Sequence, residues 1–458
     1  MDGPPATSSA SSTADATRRD LTACLTEGAA FGGMVGFGET YLPAFVLAIG
    51  LGEVTAGLIS SVPLIAGGLM QMVSPFAVDW LKSHKRWVVI CATVQCLSFV
   101  PFLFGALTGR FSATAALVSA SVYWGAGLAT GPAWNTWIET LVPRPLRARF
   151  FARRTFGQQF FVFAGFLLGG LWLQWHSSTG ASGSTFALLF ATAAGCRLIS
   201  AATMTLQREP DPMPANTRRI PIRTVWPHLK ASGGGRLLLY LVAVQAAVQI
   251  SGPYFTPFMF VQLGLSYAEF AGLLSAAFLA KVLALPLCGR IAHRLGAWKL
   301  LWLGGIGIVP LAGGWVLSQN FAWLLFLQIF GGFAWAAYEL AFFLLFFESI
   351  DKSERTSVLT FYNLLNTTGW VCGALIGGLI LKLVGTSYST YLLVFGLSSA
   401  ARMLALLLLA RVRDVPVESA GVSVRTMAVR PGSASLDTPV LPSLPDEVEA
   451  AIVPALSG

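Results

Sequence analysis

The chain has 458 residues, of which 55% are hydrophobic and 11% charged, and its net charge is +9. Soluble globular domains carry roughly a quarter charged residues, so this chain has too few charges to wet its own surface in water; its mean hydropathy of +0.68 fits lipid as the solvent. The basic excess does not point to nucleic acid, because it sits in short clusters between apolar stretches, and the scattered cysteines, with no CxxC pair, have no zinc spacing.

Residues 1–26 are rich in Ser, Ala, Thr and Pro and lack the apolar core of a signal peptide, which predicts a disordered N-terminal tail. Apolar stretches follow near 28–50, 55–76, 87–107, 114–140, 157–175, 185–206, 237–262, 268–289, 299–317, 322–346, 358–382 and 388–410. Each runs to about twenty residues without strict alternation, the length of a membrane-crossing helix and not of a barrel strand. The longest connection, 207–236, carries Arg208, Arg218, Arg219, Arg223, Lys230 and Arg236 and separates two sets of six. The predicted fold is an all-α membrane protein of twelve transmembrane helices, six in an N-terminal half over 27–206 and six in a C-terminal half over 237–411. A second disordered tail is expected over 412–458, with acidic residues at Asp446, Glu447 and Glu449.

The basic residues orient the chain. Lys82, Lys85 and Arg86 lie between spans 2 and 3, Arg144, Arg147, Arg149, Arg153 and Arg154 between spans 4 and 5, and Arg290, Arg294 and Lys299 between spans 8 and 9. The alternate connections hold little beyond Arg110 and Lys382. Positive residues stay on the cytoplasmic side, so both termini and the central loop are expected there, in a bacterial inner (plasma) membrane.

The halves repeat each other. GETYLPAFVLAIGL (38–51) followed by AGLIS (56–60) matches GPYFTPFMFVQLGL (252–265) followed by AGLLS (271–275), with Pro43 opposite Pro257 and Gly50 opposite Gly264. GFLLGG (165–170) matches GALIGG (373–378), and Arg147 matches Arg355. Arg197 and Arg402 take similar places in spans 6 and 12, which reads as a structural role for both. Ordered matches of this kind indicate duplication, and two parallel six-span repeats are a recurrent transporter architecture with the binding site at their interface.

GRIAHRLGAWKL (289–300), between spans 8 and 9, resembles the signature loop of the major facilitator superfamily. Gly289, Ala292, Arg294, Gly296 and Lys299 fit it, with Arg290 following the first glycine, while His293 replaces the acidic residue. The first-half copy, SPFAVDWLKSHKRW (74–87), keeps the acid as Asp79 and has Ser74 for the first glycine. The resemblance covers about 28–410. It implies gate loops at these places, where Asp79 can take charge-assisted hydrogen bonds from the opposite half; the plainer alternative is a solvated turn. The family's efflux signature in span 5 is only partly present, with Gly165, Gly169 and Gly170 but Phe166 in place of the proline, and Ser121 stands near the place of the usual span 4 arginine.

Ionisable groups at membrane depth are costly and need a partner or a role. Glu39 in span 1, Glu339 in span 10 and Glu139 near the end of span 4 are the candidates for proton coupling. By the resemblance, spans 1, 4, 7 and 10 line a central cavity, which makes Asn135, Gln245, Gln249 and Tyr338 candidate lining residues, with Lys281 in span 8 beside them. Asn363, Asn366 and Trp370 form a similar polar stripe on span 11. Hydrogen bonding between helices is the competing account of the glutamines and asparagines. The sequence has no GxxxxGK[ST] pattern, no metal-ligand cluster and no nucleophile–base motif, so no cofactor is expected and an ion gradient is the expected energy source. A membrane carboxylate suits protons, because burial disfavours its charged form. The expectation is a monomeric secondary transporter that moves a small organic molecule by alternating access, coupled to protons or another ion, with export ahead of import. The alternative is a membrane enzyme or sensor on a transporter-like scaffold.

Overall fold

The computed structural model describes residues 7–142, 147–177, 182–212, 234–349 and 355–411. Among them there is no strand. The long helices are α1 Thr7–Phe37, α2 Leu64–Leu81, α3 His84–Leu97, α4 Ala113–Leu141, α5 Arg147–Ser177 and α6 Ser182–Leu206. They continue with α7 Gly234–Ser251, α8 Tyr267–Leu295, α9 Ala297–Ile308, α10 Phe321–Ser349, α11 Arg355–Val384 and α12 Tyr388–Leu409. Short segments extend several of them, such as Phe99–Thr108 after α3 and Pro310–Leu317 after α9. Helices α3, α4, α8 and α12 each begin on a serine whose Oγ accepts a first-turn backbone N–H; at α8, Ser266 and Glu269 complete a reciprocal capping box.

Ten helical stretches among the described residues are long and apolar enough to cross a membrane. The other two expected spans are helical but less apolar. The first is diluted by the polar residues at the start of α1 and broken at Gly38, and α4 carries Tyr123, Trp124, Trp134, Asn135 and Trp137. The outer faces suit lipid: Leu69, Phe104, Trp175, Leu283, Leu317 and Leu404 are all more than half exposed, an apolar surface far larger than soluble monomers present to water.

Packing repeats between the halves. In the first, α1 packs on α5 and α6, α2 on α4, and α3 on α4 and α6. In the second, α7 packs on α11 and α12, α8 on α10, and α9 on α10 and α12. Contacts across the halves obey the same symmetry, with α5 on α8 and α2 on α11. Among the described residues they gather toward the end remote from Thr7 and Leu409, here termed the distal end.

Both leading helices break there. A 3₁₀ turn at Glu39–Tyr41 leads from α1 into Leu42–Ala48, and one at Gly252–Tyr254 leads from α7 into Phe255–Pro257. This puts Tyr41 opposite Tyr254, one residue off the register in which Pro43 faces Pro257. The Tyr41 hydroxyl donates to the Phe166 carbonyl on α5, and the Tyr254 hydroxyl donates to the Ala374 carbonyl on α11 at 2.6 Å. The acceptors occupy matching places in GFLLGG and GALIGG. Close approach needs the glycines: a Cβ on Gly36 would lie 2.4 Å from the Val162 carbonyl oxygen, and one on Gly377 would lie 2.1 Å from that of Ile250.

The N-terminal boundary differs from the sequence reading. Residues from Thr7 are helical and continuous with the first span, so the predicted disordered tail over 1–26 is not what the described residues show. Two buried carboxylates explain why: Asp20 accepts from the Arg208 side chain at 2.6 Å and from its backbone N–H at 3.1 Å, and Glu27 pairs with Arg154 at 2.6 Å. The connection after α6 is likewise bound to the first half through residue 212. Lys85 Nζ donates to the Thr205 and Gln207 carbonyls, Trp137 Nε1 donates to the Arg208 carbonyl, and Glu209 accepts from Ser83 Oγ and the Lys85 N–H. The basic residues Arg218, Arg219, Arg223 and Lys230 and the tail over 412–458 lie outside the described residues.

Candidate functional site

Among the described residues, the candidate carboxylates Glu339 and Glu39 form two polar centres inside the bundle, one in each half. In the second half, Lys281 sits midway along α8 and Glu339 on α10. The two helices approach closely because Gly332 offers no side chain; a Cβ there would lie 2.6 Å from the Ala277 carbonyl oxygen and 2.8 Å from the Lys281 backbone nitrogen. Two turns further along α10, on the same face, Glu339 Oε1 accepts from Lys281 Nζ at 2.7 Å. The side chains are 1% and 7% exposed. The second carboxylate oxygen, Oε2, is buried with no hydrogen-bond partner, as are the hydroxyls of Tyr338 and Tyr240 nearby. Tyr362 of α11 is buried, with its ring tilted against that of Phe342 on α10. The centre is thus a buried charged pair, enclosed by tyrosines from three helices.

In the first half, Glu39 opens the 3₁₀ turn that breaks α1 and is half-buried. The turn frees it from regular helix packing and aims it at α4, where the Tyr123 hydroxyl donates to its Oε2 at 2.5 Å. The Tyr123 ring is itself seated edge-on to Phe99 and Trp124.

The remaining candidates divide. Asn135 is half-buried on α4. Gln245 accepts from Trp370 Nε1 at 3.3 Å, and Gln249 packs beside Gly373, so the polar stripes of α7 and α11 meet each other in the seam between those helices. Tyr338 faces α9, where a Cβ on Gly304 would strike its backbone, and its ring meets those of Tyr240 and Trp335. The side chain of Glu139 lies outside the described ones, although its backbone is part of α4. Arg197 and Arg402 are buried and bonded within their halves, Arg197 to Ser200 Oγ and over the Phe31 ring, Arg402 to the Ile308 carbonyl and Ser251 Oγ.

The gate segments prove to be helix ends more than loops. Gly289, Arg290 and Arg294 belong to α8, which stops at Leu295, and the turn into α9 is Gly296 alone at φ +87°. Asp79 lies in the last turn of α2, and the matching turn is made by Lys82, the one non-glycine residue with positive φ among those described, at φ 51°. Arg290 and Arg294 are exposed, and Asp79 is half-exposed.

Sequence reasoning missed the partners. Nothing in the sequence ties Tyr123 to Glu39 or sets Tyr240 and Tyr362 beside Glu339. Among the described residues no cluster of His, Cys, Asp and Glu is placed to hold a metal ion.

Two six-helix repeats, joined across α2, α5, α8 and α11 and carrying ionisable groups within each half, define a membrane transporter fold. The profile of the Major Facilitator Superfamily matches residues 28–317 and 237–442, and the chain belongs to that family. Solved structures agree. The nucleoside transporter NupG is 14% identical, with a TM-score of 0.63 over 86% of this chain and 98% of that one. A bacterial homologue of the human lysosomal transporter Spinster, inward-facing and occupied, is 15% identical, with a TM-score of 0.61 over 85% of this chain and 94% of its own. A bacterial homologue of the iron transporter ferroportin, inward-facing, is 14% identical, with a TM-score of 0.66 over 87% and 98%. At these identities the likeness is one of fold. No curated protein matches the sequence.

Proposed function

We propose that this protein is a proton-coupled secondary transporter that moves a small organic molecule by alternating access, with export as its direction, and that the Lys281–Glu339 pair is its coupling centre. The observation that carries this reading is the pair itself. A buried ion pair is a poor source of stability, because removing two charges from solvent costs about as much as their attraction returns. Two charges kept at membrane depth are better explained by a role. Glu339 has one oxygen committed to Lys281 and the other without a partner. It can take a proton and release the ammonium, which then answers to another group. Glu39, bound to Tyr123, is the carboxylate of the other centre and the alternative coupling residue.

With both termini cytoplasmic, the distal end is the extracytoplasmic one. Among the described residues, contacts across the halves concentrate there, which supports an inward-facing state. Asp79 at the opposite end is the proposed latch of the outward-facing state. The aromatic-rich spans favour an amphipathic or apolar cargo. The known cargoes of the similar structures differ from one another, so the fold alone does not assign one.

The test begins with a ligand-dependent thermal stability screen of the purified protein to find a cargo. Transport is then measured in proteoliposomes under an imposed pH gradient. Glu339→Gln is expected to retain cargo binding and lose gradient-driven transport. Wild-type rates in Glu339→Gln, with loss in Glu39→Gln, would move the coupling centre to the first half. Wild-type rates in both would end the proton-coupled reading.

A further inference from the structure

The distal seam holds a third carboxylate that neither centre uses. Glu53 opens the short helix Glu53–Leu58, which Gly52 introduces at φ +87°. This helix belongs to the first half but lies against α11 and the broken end of α7. Glu53 Oε2 accepts from the Tyr391 hydroxyl at 2.7 Å and from Gln262 Nε2 at 3.2 Å, both in the second half.

Its donors are held in place without it. Tyr391 is fully buried on α12, with its ring against those of Phe258 and Phe395. Gln262 also donates to the Thr386 carbonyl at 2.8 Å, in the turn between α11 and α12. The second half therefore presents two preset donors to one carboxylate. The symmetry-related seam, where the start of α8 meets the end of α5, is bridged by the Ala268 N–H donating to Gln174 Oε1 at 3.3 Å, a neutral bond. Hydrogen bonds to an ionised acceptor are roughly twice as strong as neutral ones, so the charged bridge is the stronger of the two.

We propose that Glu53 is the latch of the distal gate: its bonds to Tyr391 and Gln262 hold the two halves together at this end and must break before the protein opens there. The proposal rests on the alternating-access reading, and its test uses no cargo and no gradient. Ala271 is buried in the other seam, where a Cβ on Gly170 would come within 2.8 Å of its side chain. Labelling at that position therefore reports separation of the halves and not local fraying at Glu53.

Ala271→Cys is made in a background lacking the native cysteines, purified in detergent, and reacted with a small maleimide. Glu53→Gln keeps the size and removes the charge; Tyr391→Phe removes a single hydroxyl from an intact ring stack and so separates loss of the latch from loss of fold. Each variant, eluting as a monodisperse peak, is expected to label about tenfold faster, the weight of one hydrogen bond to a charged acceptor. Combining them should add little, because both break the same bridge. Unchanged rates in both single variants overturn the latch, and a rise in Glu53→Gln alone overturns the bridge to Tyr391. The transport reading fails separately, by a flat response in the proteoliposome assay.

Discussion

Lys281→Met tests whether the buried pair is kept for stability or for coupling. At 2.7 Å, in surroundings of effective dielectric about 20, the Coulomb attraction is roughly 6 kcal/mol. Stripping water from both ions costs several kcal/mol each, so the net contribution of the intact pair is close to zero. Removing one partner is a different matter. Lys281→Met leaves a carboxylate that is 1% exposed with neither of its oxygens compensated by charge, and the expected loss is about 3–5 kcal/mol, on the order of 3–5 °C in melting temperature for a chain of this length. Adding Glu339→Leu removes the stranded charge and should restore most of the loss. The double variant is then expected to be near wild type in stability and inert in gradient-driven transport. The assay is thermal unfolding in detergent followed by tryptophan fluorescence, paired with proteoliposome transport. The argument is refuted if Lys281→Met melts with the wild type, or if the double variant is no more stable than the single one.

Three further outcomes are expected. Gly377→Ala should lower the melting temperature markedly, since its Cβ would lie 2.1 Å from the Ile250 carbonyl oxygen and neither helix backbone can yield; Gly195→Ala, with nothing within 4 Å, is the control and should melt unchanged. A reporter fused after Arg223 should be active only in the cytoplasm, and periplasmic activity would reverse the assignment of the two gates. Asp79→Asn should increase labelling of cysteines introduced at the cytoplasmic ends of the halves, and equal labelling would reduce Asp79 to a solvated helix end.

Hydropathy made the spans legible, because lipid demands about twenty apolar residues whatever the cargo. The two spans that fall short of the membrane-crossing criterion, α1 and α4, lead to Glu39 and carry its partner Tyr123. Duplication was legible from Gly50 and Gly264, whose positive φ favours glycine, and from the glycines of α5 and α11, which have close neighbours on the facing elements. Lys281 and Glu339 each stood out as charges in apolar runs. Their pairing did not, since it depends on Gly332 bringing α8 and α10 together and no local pattern encodes that contact. The helix before residue 27 escaped notice because small polar residues there give no apolar periodicity. Its order comes from Asp20 and Glu27 meeting arginines far along the chain.

The paired tyrosine bonds constrain how such a molecule can move. Tyr41 fastens the break in α1 to α5, and Tyr254 fastens the break in α7 to α11. Each break is thereby braced within its own half, so the alternating-access motion proposed above would be carried by the faces where α5 meets α8 and α2 meets α11. At those faces Gly170 lies against Ala271, and Gly68 lies near the Thr367 methyl. Small contacts of this kind cost little to break, so the halves would part there with little loss of packing.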